Sequence, residues 1–258
     1  MSRVALDGLL LLLGCATAAW VLSLRRRDAS IADICWGPWF AALAWFYLVR
    51  LGMPEGRHLA LACVVTVWAA RLATHIAARH RGAPEDPRYR AMRASRGAAF
   101  WWQSLVVVFW LQAALAWLIA WPVLVVMADT DVSSTPVSRA GLGVALVGVC
   151  VEALADWQLT RFKADPRNLG RVLDVGLWRY SRHPNYFGDA VMWWGVYAVA
   201  CASTYGWLTV VSPLLMTVLL LKVSGVTLLE RGLVATKPAY ADYVRRTSAF
   251  VPWFPRVR

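Results

Sequence analysis

The chain has 258 residues, 59% of them hydrophobic and 16% charged, with a positive mean hydropathy of +0.50; a soluble domain carries about 25% charged residues. This composition excludes an ordinary soluble enzyme and points to an all-α polytopic membrane protein, one membrane domain over residues 1–258. The net charge of +12 would suggest nucleic acid in a soluble chain, but here it follows the loops between apolar segments, so no nucleic-acid partner is expected.

Seven apolar segments are predicted in chain order, at 4–24, 31–51, 58–79, 100–127, 140–160, 187–203 and 206–222. The first resembles a signal peptide until Asp7 interrupts it and Arg25, Arg26 and Arg27 close it, so a retained first helix is expected. Pro122 and Pro213 fall inside the fourth and seventh segments and predict kinks there. The last two segments are separated only by Ser203, Thr204, Tyr205 and Gly206, which reads as a tight hairpin. Alternate loops carry 22 of the 27 Lys and Arg. The positive-inside rule then places the N-terminus outside and the C-terminus in the cytoplasm. Basic loops also attract anionic lipid head groups, which accounts for Arg25, Arg26, Arg27, Arg256 and Arg258 without a specific site. The five cysteines lie singly in or beside apolar runs and are predicted to be small buried apolar residues, with no metal-ligand spacing among them.

Ionisable residues at membrane depth are functional candidates because a charge there must be paired or hydrated. Asp33 opens the second segment, where it is either a helix cap or a carboxyl group in a substrate cavity. Arg71 and His75 are four apart on the third segment and share a face. Glu152 and Asp156 do the same on the fifth, with Arg161 and Lys163 at its basic end. No Glu-x-x-His partner accompanies the two carboxylates, so no metal is expected; Asp156 better suits accepting hydrogen bonds from a ribose or a carboxamide, with Arg161 and Lys163 on phosphates. GxSxG, P-loop, HExxH, CxxC and GxGxxG motifs are all absent.

The densest polar cluster is GLWRYSRHPNYFGDAVMWWG at residues 176–195, where Arg179, Arg182, His183, Asn185 and Asp189 crowd against an apolar segment. With its flanks EALADWQLTRFK and SGVTLLERGLVATKPAYADYVRRTSAFVPWFP, it resembles the C-terminal signature of the membrane steroid 5-alpha-reductase-like family, in its bacterial members. IADICWG and WAARLATHIAARHRGAPEDPRY match more loosely, and a reduced form, RHPxYxG, occurs in isoprenylcysteine carboxyl methyltransferases.

The resemblance implies seven membrane helices and NADPH bound from the cytoplasmic side of a bacterial inner membrane. It also implies reduction of the C=C bond of a 3-oxo-Δ4-steroid or similar lipophilic enone entering from the bilayer. Residues 1–100 would form the substrate cavity and 140–258 the cofactor half. Asp156, Lys163, Arg171, Asn185 and Asp189 fall at cofactor-contact positions, Arg161 accompanies them, and Tyr180, Arg182, His183 and Tyr186 complete the motif. The family's Glu of the second segment corresponds to Asp33, the nominated catalytic acid, and its substrate-contacting Tyr aligns near Trp68. Tyr89 is a second candidate donor, in a loop expected to lie too far from the membrane. A membrane methyltransferase using S-adenosylmethionine on an isoprenyl or phospholipid substrate is the alternative from the short motif. A lipid-binding or transport protein is the non-enzymatic one.

Overall fold

A computed structural model of the chain describes residues 2–51, 55–131, 134–223 and 238–256. Among these it is all-helical, with no strand and a single isolated parallel bridge, Ser181 with Ser248. Five helices are long and apolar enough to cross a membrane, matching the first five predicted segments. They are α1 (Ser2–Arg26), α2 (Ile31–Leu51), α3 (Gly56–His80), a run over Pro87–Ile119, and the 29-residue α8 (Pro136–Ala164). The run comprises α4 (Pro87–Arg96), α5 (Phe100–Ser104), a π-helical stretch at Leu105–Trp110 and α6 (Leu111–Ile119). Shorter pieces follow: α7 (Trp121–Ala128), α9 (Pro184–Ala200), α10 (Val211–Val218) and α11 (Pro238–Arg246).

Three expectations are corrected. The fourth segment begins at Pro87, not 100, and ends at Ile119. Pro122 does not kink it; it sits in the first turn of α7, and Pro213 in the first turn of α10, where a missing N–H costs no helical bond. The proline enclosed in a helix is Pro38 of α2. The cysteines are half-buried (Cys15, Cys35) or exposed (Cys63, Cys150, Cys201) rather than buried, because the outer face of an apolar helix is as hospitable to them as its inner face.

The chain divides into two compact units. The first comprises residues 1–138 and 199–209. Here α2 packs along α3, and α1, α6 and α7 pack against α2. Gly37 lets α2 approach the α3 backbone; a Cβ there would stand 2.9 Å from the Ala69 carbonyl oxygen. Trp68 is fully buried and meets Phe40 edge-on, with ring centroids 5.4 Å apart, so it is a core side chain of this unit.

The second unit comprises residues 139–198 and 210–258. Its central feature is a backbone-to-backbone crossing of α8 and α9. A Cβ added at Gly148 would lie 2.4 Å from the Met192 nitrogen, at Gly188 2.5 Å from the Glu152 nitrogen, and at Gly195 2.3 Å from the Ala145 nitrogen. Small residues at such a crossing trade side-chain area for close packing of the main chains, the usual arrangement of helices in lipid. Because the obstacles are backbone atoms, they cannot swing aside. We therefore expect Gly148→Ala and Gly188→Ala each to lower the thermal unfolding midpoint in detergent, at a cost of about 1–3 kcal/mol. Gly143→Ala, with nothing within 4 Å, should leave it unchanged or raise it.

Candidate functional site

The α8–α9 crossing places Asp156 and Asn185 side by side in the second unit. Asn185 lies in the first turn of α9, two residues after His183. Its Nδ2 donates to Asp156 Oδ1 at 3.0 Å. Asp156 is buried, 5% exposed. The carboxylate can only accept, so it fixes the amide orientation and leaves Asn185 Oδ1 as an acceptor. That oxygen is buried and has no hydrogen-bond partner among the described residues. Asp189 stands four residues further along α9 and is also buried, as is Glu152 on α8. The His183 and Tyr186 rings stack at 5.6 Å with planes 3° apart.

The start of the signature is held from α8. Gly176 adopts φ +62°, and a Cβ there would strike the Gln158 side chain at 2.6 Å. Gln158 Oε1 accepts the Leu177 N–H at 3.1 Å, and Trp178 Nε1 donates to the Ala155 carbonyl at 3.1 Å. Beside this joint lies a cleft of about 330 Å³ lined by Trp157, Gln158, Arg161, Phe162 and Asp165 among others. The Arg161 guanidinium sits 5.5 Å from the Trp157 ring centroid. Lys163 and Arg171 are exposed near the same end of α8 and do not line the cleft. Asp165 pairs with Arg167 at 2.8 Å, and those bonds hold its carboxyl below the usual range.

Arg182 and Tyr180 also tie the signature to residues 238–256. Arg182 is buried, and its Nη1 donates to the Val244 carbonyl at 3.0 Å and the Thr247 carbonyl at 2.6 Å. It therefore caps the C-terminal end of α11, where free carbonyls and the helix dipole both favour a cation. Tyr243, on α11, donates its hydroxyl to the Trp178 carbonyl. Ser181 Oγ donates to the Phe250 carbonyl at 2.7 Å, and the Trp253 N–H to the Tyr180 carbonyl at 2.9 Å. The Tyr180 ring meets Phe254 edge-on at 6.2 Å. The signature is thus clasped to residues 238–256 by its own backbone and by Arg182.

A separate polar network occupies the first unit. Asp33, in the first turn of α2, does not cap that helix. Its Oδ2 pairs with Arg88 Nη2 at 2.6 Å, and its Oδ1 accepts the Tyr89 hydroxyl at 2.6 Å. Gln112 Nε2 donates to the Tyr89 oxygen at 3.1 Å from α6, just past the π-helical stretch. Tyr89, read from the sequence as too distant, is therefore in contact with Asp33 and is itself buried. Three neighbouring bonds hold α4 here: Ala29 N–H to Glu85 at 2.8 Å, Asp86 N–H to Ser30 Oγ at 2.8 Å, and Arg88 N–H to Asp86 Oδ1 at 2.9 Å. Burial raises the Asp86 carboxyl, but its bonds from Arg88 outweigh this and hold it below the usual range. Arg71 and His75 stand half-buried on α3.

Among the described residues no group of three or more His, Cys, Asp or Glu forms a metal site. The side chains that sequence reasoning missed are Gln158, Tyr243, Arg88 and Gln112. Only Gln112 carried a visible signal, as the lone amide in FWLQAALAW.

Two outcomes follow from this geometry. Arg182→Ala should speed tryptic cleavage after Arg245 and Arg246 roughly tenfold or more, since each lost charge-assisted bond is worth about 1.5–3 kcal/mol; unchanged cleavage would show that the clasp contributes nothing. A carboxyl depressed on folding stabilises the native state above its unfolded pKa, about 3.9, and loses that contribution as pH falls through the folded value. Asp86→Asn should therefore lower the unfolding midpoint at neutral pH and flatten its fall on the acid side, as read by thermal melts between pH 7 and pH 3.

The sequence profile of the family described as "Protein of unknown function (DUF1295)" matches residues 19–247. An uncharacterised protein of Schizosaccharomyces pombe is 27% identical over 231 residues, covering 78% of this chain and 66% of the relative. The chain thus spans just under two thirds of the length of that curated relative. No solved structure matches it. A match over so much of the sequence identifies the chain as a member of the DUF1295 family.

Proposed function

We propose that the protein is an NADPH-dependent reductase of a C=C bond conjugated to a carbonyl in a lipophilic substrate, such as a 3-oxo-Δ4-steroid. The observation that carries this reading is the buried Asn185 Oδ1, held by Asp156 and lacking a donor among the described residues. A nicotinamide carboxamide offers the N–H such an acceptor requires. Arg161 has no acid partner among the described residues and borders a cleft with aromatic walls, which suits a phosphate and an adenine. Membership of a family that includes steroid 5-alpha-reductase-like proteins adds to this.

NADPH, when bound, supplies the hydride. The chain's own residues orient it and deliver the proton. Asp33 accepts from Arg88 on one oxygen and from Tyr89 on the other, so the hydroxyl proton in its network is that of Tyr89. We assign Tyr89 as the acid that polarises the substrate carbonyl: Gln112 donates to its oxygen, and its single proton, which Asp33 accepts in this structure, turns from Asp33 to the carbonyl oxygen when substrate binds. The proposal extends to seven crossings, adding α9 and the shorter apolar helix Gly206–Lys222 to the five long helices, with the basic loops in the cytoplasm.

The test is NADPH binding to purified protein by tryptophan fluorescence quenching, followed by turnover of progesterone or testosterone. Asn185→Ala should weaken NADPH binding about tenfold. Tyr89→Phe should lower kcat roughly 100-fold with NADPH affinity unchanged. Absence of NADPH binding by the unmodified protein overturns the reading, and quenching by S-adenosylmethionine alone reassigns it to methyl transfer.

A further inference from the structure

Where α1 ends, the chain makes an unusual choice. The Asp28 N–H bonds to the Ser23 carbonyl at 3.0 Å and the Arg27 N–H to the Leu24 carbonyl at 3.3 Å, a helix-terminating turn of the Schellman type. The residue between must be left-handed, and glycine is the default there. Here it is Arg27, at φ +53°, the only non-glycine residue with positive φ among the described residues. An arginine kept in a glycine position signals that its side chain is wanted.

Arg27, itself exposed, is one of the residues lining a cavity of about 220 Å³ in the first unit, with Ser23, Leu24, Arg93, Phe100, Trp101 and Ser104. Arg27 has no acid partner among the described residues, whereas Arg93 is paired with Glu85 at 2.8 Å and lies 4.6 Å from the Phe100 ring centroid. The Ser23 and Ser104 hydroxyls are buried and donate to the Trp20 and Trp101 carbonyls, which fixes them while leaving their oxygens able to accept. The rim is apolar and outward-facing: Trp101 is 57% exposed and stacks on Trp20 at 6.4 Å, and Leu24 and Trp102 are also exposed. Arg25 and Arg26 lie in the last turn of α1, and Arg93 and Arg96 in the last turn of α4. A hollow of mixed polar and apolar lining with one cation that has no acid partner among the described residues, opening beside exposed tryptophans at the end of an apolar helix, matches a phospholipid: phosphate at the cation, acyl chains along the aromatic rim.

We infer that this cavity is a specific site for the head group of an anionic phospholipid, with Arg27 as its phosphate-binding residue. The site is defined by one side chain, which distinguishes it from diffuse attraction to the basic surface.

The experiment is native mass spectrometry and thermal melting of the detergent-solubilised chain with added phosphatidylglycerol, phosphatidylcholine or inorganic phosphate. The unmodified protein should retain one phosphatidylglycerol at least fivefold better than phosphatidylcholine and melt several degrees higher with it. Arg27→Gly should relieve the left-handed strain, so its lipid-free melting point holds or rises, while its preference for phosphatidylglycerol disappears. Arg25→Gln, one turn-face away and outside the cavity lining, should keep the preference. Equal retention of the two lipids, full preference in Arg27→Gly, or equal loss in Arg25→Gln would each overturn the site. Displacement of the lipid by millimolar inorganic phosphate would assign it to the free anion instead and overturn the lipid assignment.

Discussion

The contact on which the signature-bearing unit depends is the meeting of two main chains at Gly148, Gly188 and Gly195. With no side chains between them, α8 and α9 come close enough for Asp156 on one to accept from Asn185 on the other at 3.0 Å. Lipid provides no hydrophobic drive between such helices, so the association rests on close packing and on the polar pair it brings together. A buried carboxylate and a buried amide would be costly apart; together they leave one defined acceptor, Asn185 Oδ1. Packing and chemistry are here the same feature seen at two scales.

The first unit solves a similar problem with loops. Glu85, Asp86, Arg88 and Tyr89 follow one another closely, and each reaches back to the stretch around α2's start. A Tyr hydroxyl between a carboxylate and an amide is preorganised: its proton is directed and its oxygen is already bonded from behind. The π-helical turn at Leu105–Trp110 changes the register of the helix just before Gln112, a local irregularity of the kind that aims a side chain.

Much of the architecture was legible as sequence, because an apolar run of about 20 residues has few alternatives to a membrane helix. The first five segments match for that reason. Pro122 and Pro213 misled because a proline's meaning depends on its distance from a helix start, and the breaks at Ala120 and before Val211 leave no composition signal. Asp156 and Asn185 could be singled out as unusual polar residues at depth. Arg182 could be singled out too, but not its use. Its acceptors are backbone carbonyls of residues more than 60 positions away, and every residue type supplies a carbonyl. Tyr89 was discounted for the same kind of reason: nothing in PEDPRYR shows that the loop folds back onto Asp33.

The clasp of Arg182 and Ser181 has a consequence for the order in which the chain can become itself. A nascent chain extended only to Ala200 already holds both helices of the glycine crossing. Yet it carries a guanidinium and a hydroxyl whose acceptors, at Val244, Thr247 and Phe250, have not been synthesised. The signature must wait, its cation hydrated or borrowed by lipid phosphate, until a segment from far downstream returns to it. Closure of this unit is therefore a late, long-range event, and assembly of the signature is paced by arrival of that segment rather than by its own helices.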